Sequence, residues 1–340
     1  MRIMGSEALK TSVAEIGRYG AAVLSVSEKE YLEAGFCPGD IVTVTVGGKT
    51  FTVPSGTAYS DVDSHKPLLL KIALCDNMIL AENNASGFAE KNGIRPGDAV
   101  AIAMAEKGGY LAEYRLRSVQ MSGNREDYAS DEEFANFRYV TAGAIAPKRL
   151  YRGFSPINPA DNRNRVADRL LSETGVRTAI NLDNEDLPLR EKYEGYQESH
   201  YAGLTVVPVK MSFSPAEPYF QDGIRKVFRA IAENEGPYYI HCRYSRDRTG
   251  LACALLEASC GASLQEIIAD YMLSYENIHH LERYSEKWDF QARQHVIEVF
   301  KSMLDLETGE IGDRVREMLL TECGIEKEVL LKVNEKLCGG

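Results

Sequence analysis

The chain has 340 residues, room for two domains at roughly 100 to 200 residues each, and its 44% hydrophobic and 26% charged residues exclude a mostly disordered or collagen-like chain. A net charge of -11 argues against broad attraction to nucleic acid or an anionic membrane, and no apolar run approaches the roughly 20 residues of a membrane span. Seven scattered cysteines with no Cys-x-x-Cys pair fit neither a disulfide framework nor a zinc site, so the expected compartment is the cytoplasm.

Met1 to Gly20 interleaves Arg2, Glu7, Lys10, Glu15 and Arg18 with its apolar residues and reads as mature protein rather than a signal peptide. Residues 1–120 are rich in Gly, Val and Thr, with turn signals at Pro38-Gly39-Asp40, Gly47-Gly48 and Pro96-Gly97-Asp98, the pattern of a small β-rich domain. Within it, Ile41 to Val46 alternates apolar and polar side chains, Gly47-Gly48 makes a tight turn, and Lys49 to Val53 resumes as the second strand of a hairpin. Residues 121–137 carry five acidic residues and one basic residue without an apolar period, which predicts an exposed acidic linker.

From 138 to 340 the pattern changes to strands alternating with helices, an α/β domain. Val176 to Leu182 and Leu204 to Val209 are short runs rich in β-branched residues, and Ile224, Val227, Phe228 and Ile231 recur at helical spacing. Tyr238 to Ile240 reads as another strand, followed by a helix from about Thr249 to Ser259. Ser263 and Glu266 form a capping box for a helix over Leu264 to Leu273, and the remainder to Leu337 is largely helical.

Between that strand and helix runs His241-Cys242-Arg243-Tyr244-Ser245-Arg246-Asp247-Arg248-Thr249-Gly250. A short loop in this setting turns successive backbone N–H groups inward as an anion cradle. Arg248, six positions after Cys242, returns over the rim, where its guanidinium holds two phosphate oxygens as a lysine could not. The same dipoles favour the thiolate of Cys242, and a thiolate facing bound phosphate implies nucleophilic displacement. Arg243, Tyr244, Ser245 and Arg246 make up the rest of the phosphate-binding loop.

His241-Cys242, five intervening residues, then Arg248-Thr249-Gly250 resemble the signature of cysteine-dependent protein tyrosine phosphatases. The fuller pattern is similar to a microbial branch with His-Cys-x-x-Gly-Lys-Asp-Arg-Thr-Gly, and the likeness runs over about residues 138–280, including Leu150 to Phe154 and Ile180 to Glu185. It implies a tyrosine-phosphatase-like central sheet flanked by helices. It also implies hydrolysis of phosphotyrosine protein, phosphoserine, phosphoinositides or inositol phosphates through a phosphocysteine intermediate, without a metal or other cofactor.

Two loop residues depart from that branch: Ser245 replaces Gly, and Arg246 replaces Lys. A positive φ at the Gly position would strain Ser245. The Trp-Pro-Asp acid loop of ordinary tyrosine phosphatases has no counterpart, since the only tryptophan is Trp288, leaving Asp247 as candidate general acid and Glu217 as the second. His241 is read as orienting the loop rather than acting as a base, and Thr249 either caps the helix or stabilises the leaving thiolate. His279 and His280, about 100° apart on a helix, lack carboxylates at ligand spacing and read as exposed polar residues, not metal ligands. Arg152, Glu185 and Asp186 either line the pocket mouth or are ordinary turn and surface residues.

Residues 16–105 resemble the small carboxy-terminal β-barrel domain of S-adenosylmethionine hydroxide adenosyltransferases, through Ile16 to Gly20, Pro38 to Val44, Thr57 to Val62, Ala81 to Ala85 and Gly93 to Val100. That family needs a larger catalytic domain before residue 16, and its ligand contacts fall here on Gly17, Tyr19, Gly20 and Ala21, so adenosyl transfer is not expected. The barrel is read as a docking or substrate-selection element. For the whole chain, three functions compete: a phosphomonoesterase, a phosphate-recognising scaffold without turnover, and a rhodanese-type sulfur transferase, which the Cys-to-Arg spacing disfavours. The expected partner is a phosphorylated protein or small phosphorylated substrate, with no nucleic acid and no integral membrane contact.

Overall fold

The computed structural model describes residues 8–17, 19–72, 75–83, 85–158, 162–183, 193–212, 215, 219–304 and 310–339, and the chain forms two compact units, Met1–Val119 and Gln120–Gly340. In the first, β1 (Leu9–Ile16), β2 (Ala22–Ser27), β3 (Ile41–Val46), β4 (Lys49–Gly56), β5 (Pro67–Ile72), β6 (Cys75–Glu82) and β7 (Ala99–Glu106) close a barrel in the order β1-β2-β6-β5-β4-β3-β7. The hairpin read from the sequence is β3 and β4, paired from Ile41 with Pro54 to Val46 with Lys49. Its turn puts Gly47 at φ +58° and Gly48 at φ +74°, the left-handed pair that a type I′ turn requires. Alternation along β3 sends Val42, Val44 and Val46 into the barrel, where they pack with Leu24, Leu69, Leu80 and Ile102.

The second unit is built on a five-stranded sheet of β8 (Arg138–Tyr139), β9 (Leu150–Arg152), β10 (Thr178–Asn181), β11 (Thr205–Pro208) and β12 (Tyr238–His241), in the order β11-β10-β12-β9-β8. Four strands are parallel and β8 pairs antiparallel at the edge. Every residue of β10, β9 and β12 is buried, which explains why these runs read as continuous rather than alternating. β12 lies in the middle, between β10 and β9, so the loop leaving its carboxyl end opens where parallel sheets receive ligands. The helix Phe220–Glu233 buries Phe220, Ile224, Val227, Phe228 and Ile231, the stripe seen in the sequence.

Three boundaries differ from expectation. The helix after the cysteine loop is Asp247–Ser259, two residues longer at its start, because Asp247 already takes the first helical position, where a carboxylate suits the helix dipole. The next helix, Leu264–His279, has the expected Ser263–Glu266 capping box but runs past Leu273, since Tyr275 and Ile278 continue its buried stripe. Most substantially, residues 121–137 are not an exposed linker: they belong to the second unit and bury Tyr128, Phe134, Ala135 and Phe137. The buried Arg163 draws this segment in, its guanidinium 4.2 Å from the ring centroid of Phe134 and 5.0 Å from that of Tyr128. It also donates to the Phe134 carbonyl (2.6 Å) and the Ser122 carbonyl (2.7 Å). Among the described residues no helix is long and apolar enough to cross a membrane.

Candidate active site

The chain leaves β12 at His241 and enters the helix at Asp247, and reversing direction in so few residues forces one unusual conformation. Ser245 takes φ +53°, the left-handed region in which a Cβ is disfavoured. Cys242 sits at the start of this turn and is 4% exposed. Arg243 is tied down by its backbone, whose carbonyl accepts the Ser155 N–H at 3.1 Å, and its guanidinium lies 4.9 Å from the Tyr244 ring centroid. Tyr244 packs edge-on against Phe154 at 5.4 Å.

His241 is wholly buried between Tyr201, whose hydroxyl lies 2.9 Å from its Nε2, and Tyr239, on which it stacks at 5.4 Å. Its Nδ1 lies 3.2 Å from the Cys242 carbonyl oxygen. Burial pushes its pKa down to about 3, with the Arg248 charge adding to the effect, so the ring is a neutral strut for the loop and a poor base. Arg248 swings from the first helical turn to the end of β10: its Nη1 donates to the Leu182 carbonyl at 2.6 Å, and its Nη2 lies 3.7 Å from Asp183 Oδ1. Leu182 is itself pinned to β12, its N–H donating to the His241 carbonyl at 2.7 Å.

Asp247 and Arg246 form a two-pronged pair, Nε to Oδ1 at 2.9 Å and Nη2 to Oδ2 at 3.1 Å. Burial alone would raise the Asp247 pKa, but Arg246, aided by His295 and Arg248, holds it below the ordinary carboxylate value. The guanidinium of Arg246 also lies 2.8 Å from His279 Nε2 and 5.3 Å from the Tyr275 ring centroid. His279 is therefore not an exposed polar residue, because its other nitrogen, 2.8 Å from the Gln120 carbonyl, completes a bridge to Arg246. Burial pushes its pKa down to about 3. His280 is exposed, as read from the sequence. Thr249 is third in the helix rather than its cap, and its Oγ1 is buried with no hydrogen-bond partner among the described residues. That leaves a hydroxyl available to the site.

Arg152 is fully buried and does not line a pocket mouth, since its Nη2 donates to the Ser245 carbonyl at 2.5 Å and its Nη1 to Asp270 Oδ2 at 2.5 Å. Glu185, Asp186 and Glu217 lie outside the described residues. Tyr201, Asp183, Asn136, Asp270 and Ser274 surround the loop without having been singled out in the sequence. Asp183 had a signal, its place in the acidic turn after a strand; Asp270 and Ser274 had only their spacing of four on one helix.

Residues 133–339 match the tyrosine phosphatase family, and the chain belongs to that family. The chain has a mixed α/β fold, and the family match begins beyond the amino-terminal barrel. No curated protein matches the chain. Among solved structures, an uncharacterized conserved protein from Thermotoga maritima is similar at 22% identity over 28% of this chain and 35% of its own, with a TM-score of 0.26. A conserved hypothetical protein from Thermus thermophilus is similar at 19% identity over 30% of this chain and 39% of its own, with a TM-score of 0.21. The chain thus spans little more than a third of the length of these two. The core catalytic domain of the PP-IP phosphatase SIW14 from S. cerevisiae is similar at 17% identity over 49% of this chain and 89% of its own, with a TM-score of 0.29.

These two histidines, one fully buried and one half-buried, predict an acid sensitivity. A histidine free in the unfolded chain titrates near pH ~6.5, so between there and about 3 the unfolded state binds more protons than the native one. The free energy of unfolding should therefore fall as pH drops through that window. His279→Gln should make the slope shallower by up to about one proton, measured by urea denaturation across the window; an unchanged or steeper slope would contradict the assignment.

Proposed function

We propose that the protein hydrolyses phosphomonoesters through a phosphocysteine intermediate. The observation that carries this reading is that Cys242 begins the tight turn at the carboxyl end of the central strand and Arg248 lies in the first turn of the helix that follows, braced by Leu182 and Asp183. The thiolate of Cys242 attacks phosphorus, the P–O ester bond breaks, and the leaving oxygen takes a proton from Asp247. Water then gives a proton to Asp247 as its oxygen attacks phosphorus, and the P–S bond breaks to release phosphate and the Cys242 thiolate. Arg248 and the loop amides hold the equatorial oxygens, where charge builds in both steps. The Thr249 hydroxyl, buried and without a hydrogen-bond partner among the described residues, donates to the departing thiolate. His241 orients the loop. The substrate is a phosphorylated protein or a small phosphorylated molecule, and the barrel serves docking or substrate selection.

Cys242→Ser should abolish turnover while keeping affinity for inorganic phosphate, because a hydroxyl fills similar space but is not ionised near neutral pH. Arg248→Lys should be severe, since one ammonium cannot reproduce a two-pronged clamp; a loss in kcat/KM below about threefold would count against it. Phosphate release from a panel of phosphotyrosine peptide, phosphoserine peptide, phosphoinositides and inositol phosphates measures both. Phosphate binding without turnover on any of them would favour a recognition scaffold.

The pair with Arg246 keeps Asp247 ionised at rest, so its acid role belongs to the complex, where a bound phosphate dianion favours the protonated carboxyl. Asp247→Asn should slow phosphotyrosine and alkyl esters by about 10²–10⁴-fold and spare activated aryl phosphates, whose leaving groups need no proton. Arg246→Gln removes the cation that does most to lower the Asp247 pKa, so the high-pH limb of the rate profile should move upward. Equal losses on all esters, or a limb that moves down, would return Asp247 to a structural role.

A further inference from the structure

We propose that Arg152, held by Asp270, is a positioning residue for the phosphate loop: it grips the Ser245 carbonyl and so keeps Ser245 in the left-handed conformation that turns the loop amides inward. This deepens the phosphatase reading above and rests on it. A serine gains nothing by itself at φ +53°, and its Cβ makes the conformation costly. The compensation lies at its carbonyl, which takes Arg152 Nη2 at 2.5 Å, Asn136 Nδ2 at 3.3 Å and Ser274 Oγ at 3.4 Å. Relaxation of Ser245 to an ordinary conformation would rotate this carbonyl away and leave a buried guanidinium with an unmet donor.

Arg152 cannot follow such a movement. It ends β9, where it pairs with Ile240 of the central strand, and its Nη1 is locked to Asp270 Oδ2 at 2.5 Å. Asp270 also accepts from Arg138 Nε at 2.9 Å, and Arg138 donates through Nη1 to Asn136 Oδ1 at 2.7 Å and through Nη2 to Ser274 Oγ at 3.1 Å. The three donors to the Ser245 carbonyl are thus tied to one another through one carboxylate and one further arginine. Burial works against charge at Asp270, yet Arg138 and Arg152 outweigh it and hold its pKa below the ordinary value.

The test compares the effect of losing Arg152 in three backgrounds of the full chain: Ser245 unchanged, Ser245→Gly, which needs no help at a positive φ, and Ser245→Ala, which keeps the Cβ but not the hydroxyl. Both kcat/KM on a phosphotyrosine peptide and the affinity for inorganic phosphate, the latter in Cys242→Ser chains, are measured. Arg152→Lys should cost about tenfold in both readouts with Ser245 or Ser245→Ala, a factor comparable to one residue's left-handed penalty, and under about threefold with Ser245→Gly. No loss with Ser245 in place, or equal losses in all three backgrounds, overturns the proposal. Arg152→Met repeats the comparison, and if it fails to fold the lysine series decides alone. Should the unaltered chain release no phosphate from any ester, the phosphatase mechanism fails, while the phosphate affinities still decide this point.

Discussion

The left-handed turn at Ser245 is the constraint around which the second unit is arranged. A central strand must hand the chain to a helix within a few residues, with Cys242 at the start of the turn. Such a turn is unfavourable by itself, and the neighbouring elements supply what it lacks. β9 contributes Arg152, the helix Leu264–His279 contributes Asp270 and Ser274, and the segment before β8 contributes Asn136. The glycine that closes the motif has a different task. A Cβ on Gly250 would stand 2.5 Å from Tyr271 Cε2, so the glycine lets the helix after the loop press against the helix that carries Asp270.

Electrostatics follow the same plan. The chain is acidic overall, yet its second unit buries Arg152 and Arg163 and partners each with carboxylate or carbonyl oxygens, which is the condition for keeping a charge out of water. Nearer the loop, two arginines are braced from behind: Arg248 by Leu182 and Asp183, Arg246 by Asp247 and His279. His279, held neutral, completes the Arg246 brace without adding positive charge, and the neutral His241 supports the loop backbone from below. The arrangement keeps guanidinium groups aimed rather than mobile, which is what preorganised stabilisation of a developing phosphoryl charge requires.

The local part of this was readable in the sequence. The spacing from Cys242 to Arg248 lies within one loop, the β3–β4 hairpin is announced by its alternation and Gly47-Gly48, and the helix Phe220–Glu233 by its apolar stripe. The supports were not readable, because they join residues far apart in the chain: Arg152 meets Asp270 across 118 positions and Arg246 meets His279 across 33. Neither pair has a periodic signal. The segment 121–137 was misread for a related reason. Its acidic residues dominate the composition, whereas the contacts of Tyr128 and Phe134 include Arg163, a residue whose type suggests exposure, and the distant Ile278 and His280. The Gly-to-Ser departure at 245 did carry information, since the strain it implied is present and points to the groups that offset it.

The most direct test of the account is to catch the intermediate. The full chain is mixed with excess phosphotyrosine peptide, quenched in acid within milliseconds to seconds, and examined by intact and peptide mass spectrometry. The mechanism requires a covalent phosphoryl adduct of about 80 Da on Cys242 that forms and decays with turnover and is absent from Cys242→Ser. Turnover with no adduct on Cys242 at any quench time, or an adduct on another residue with undiminished activity in Cys242→Ser, would contradict it.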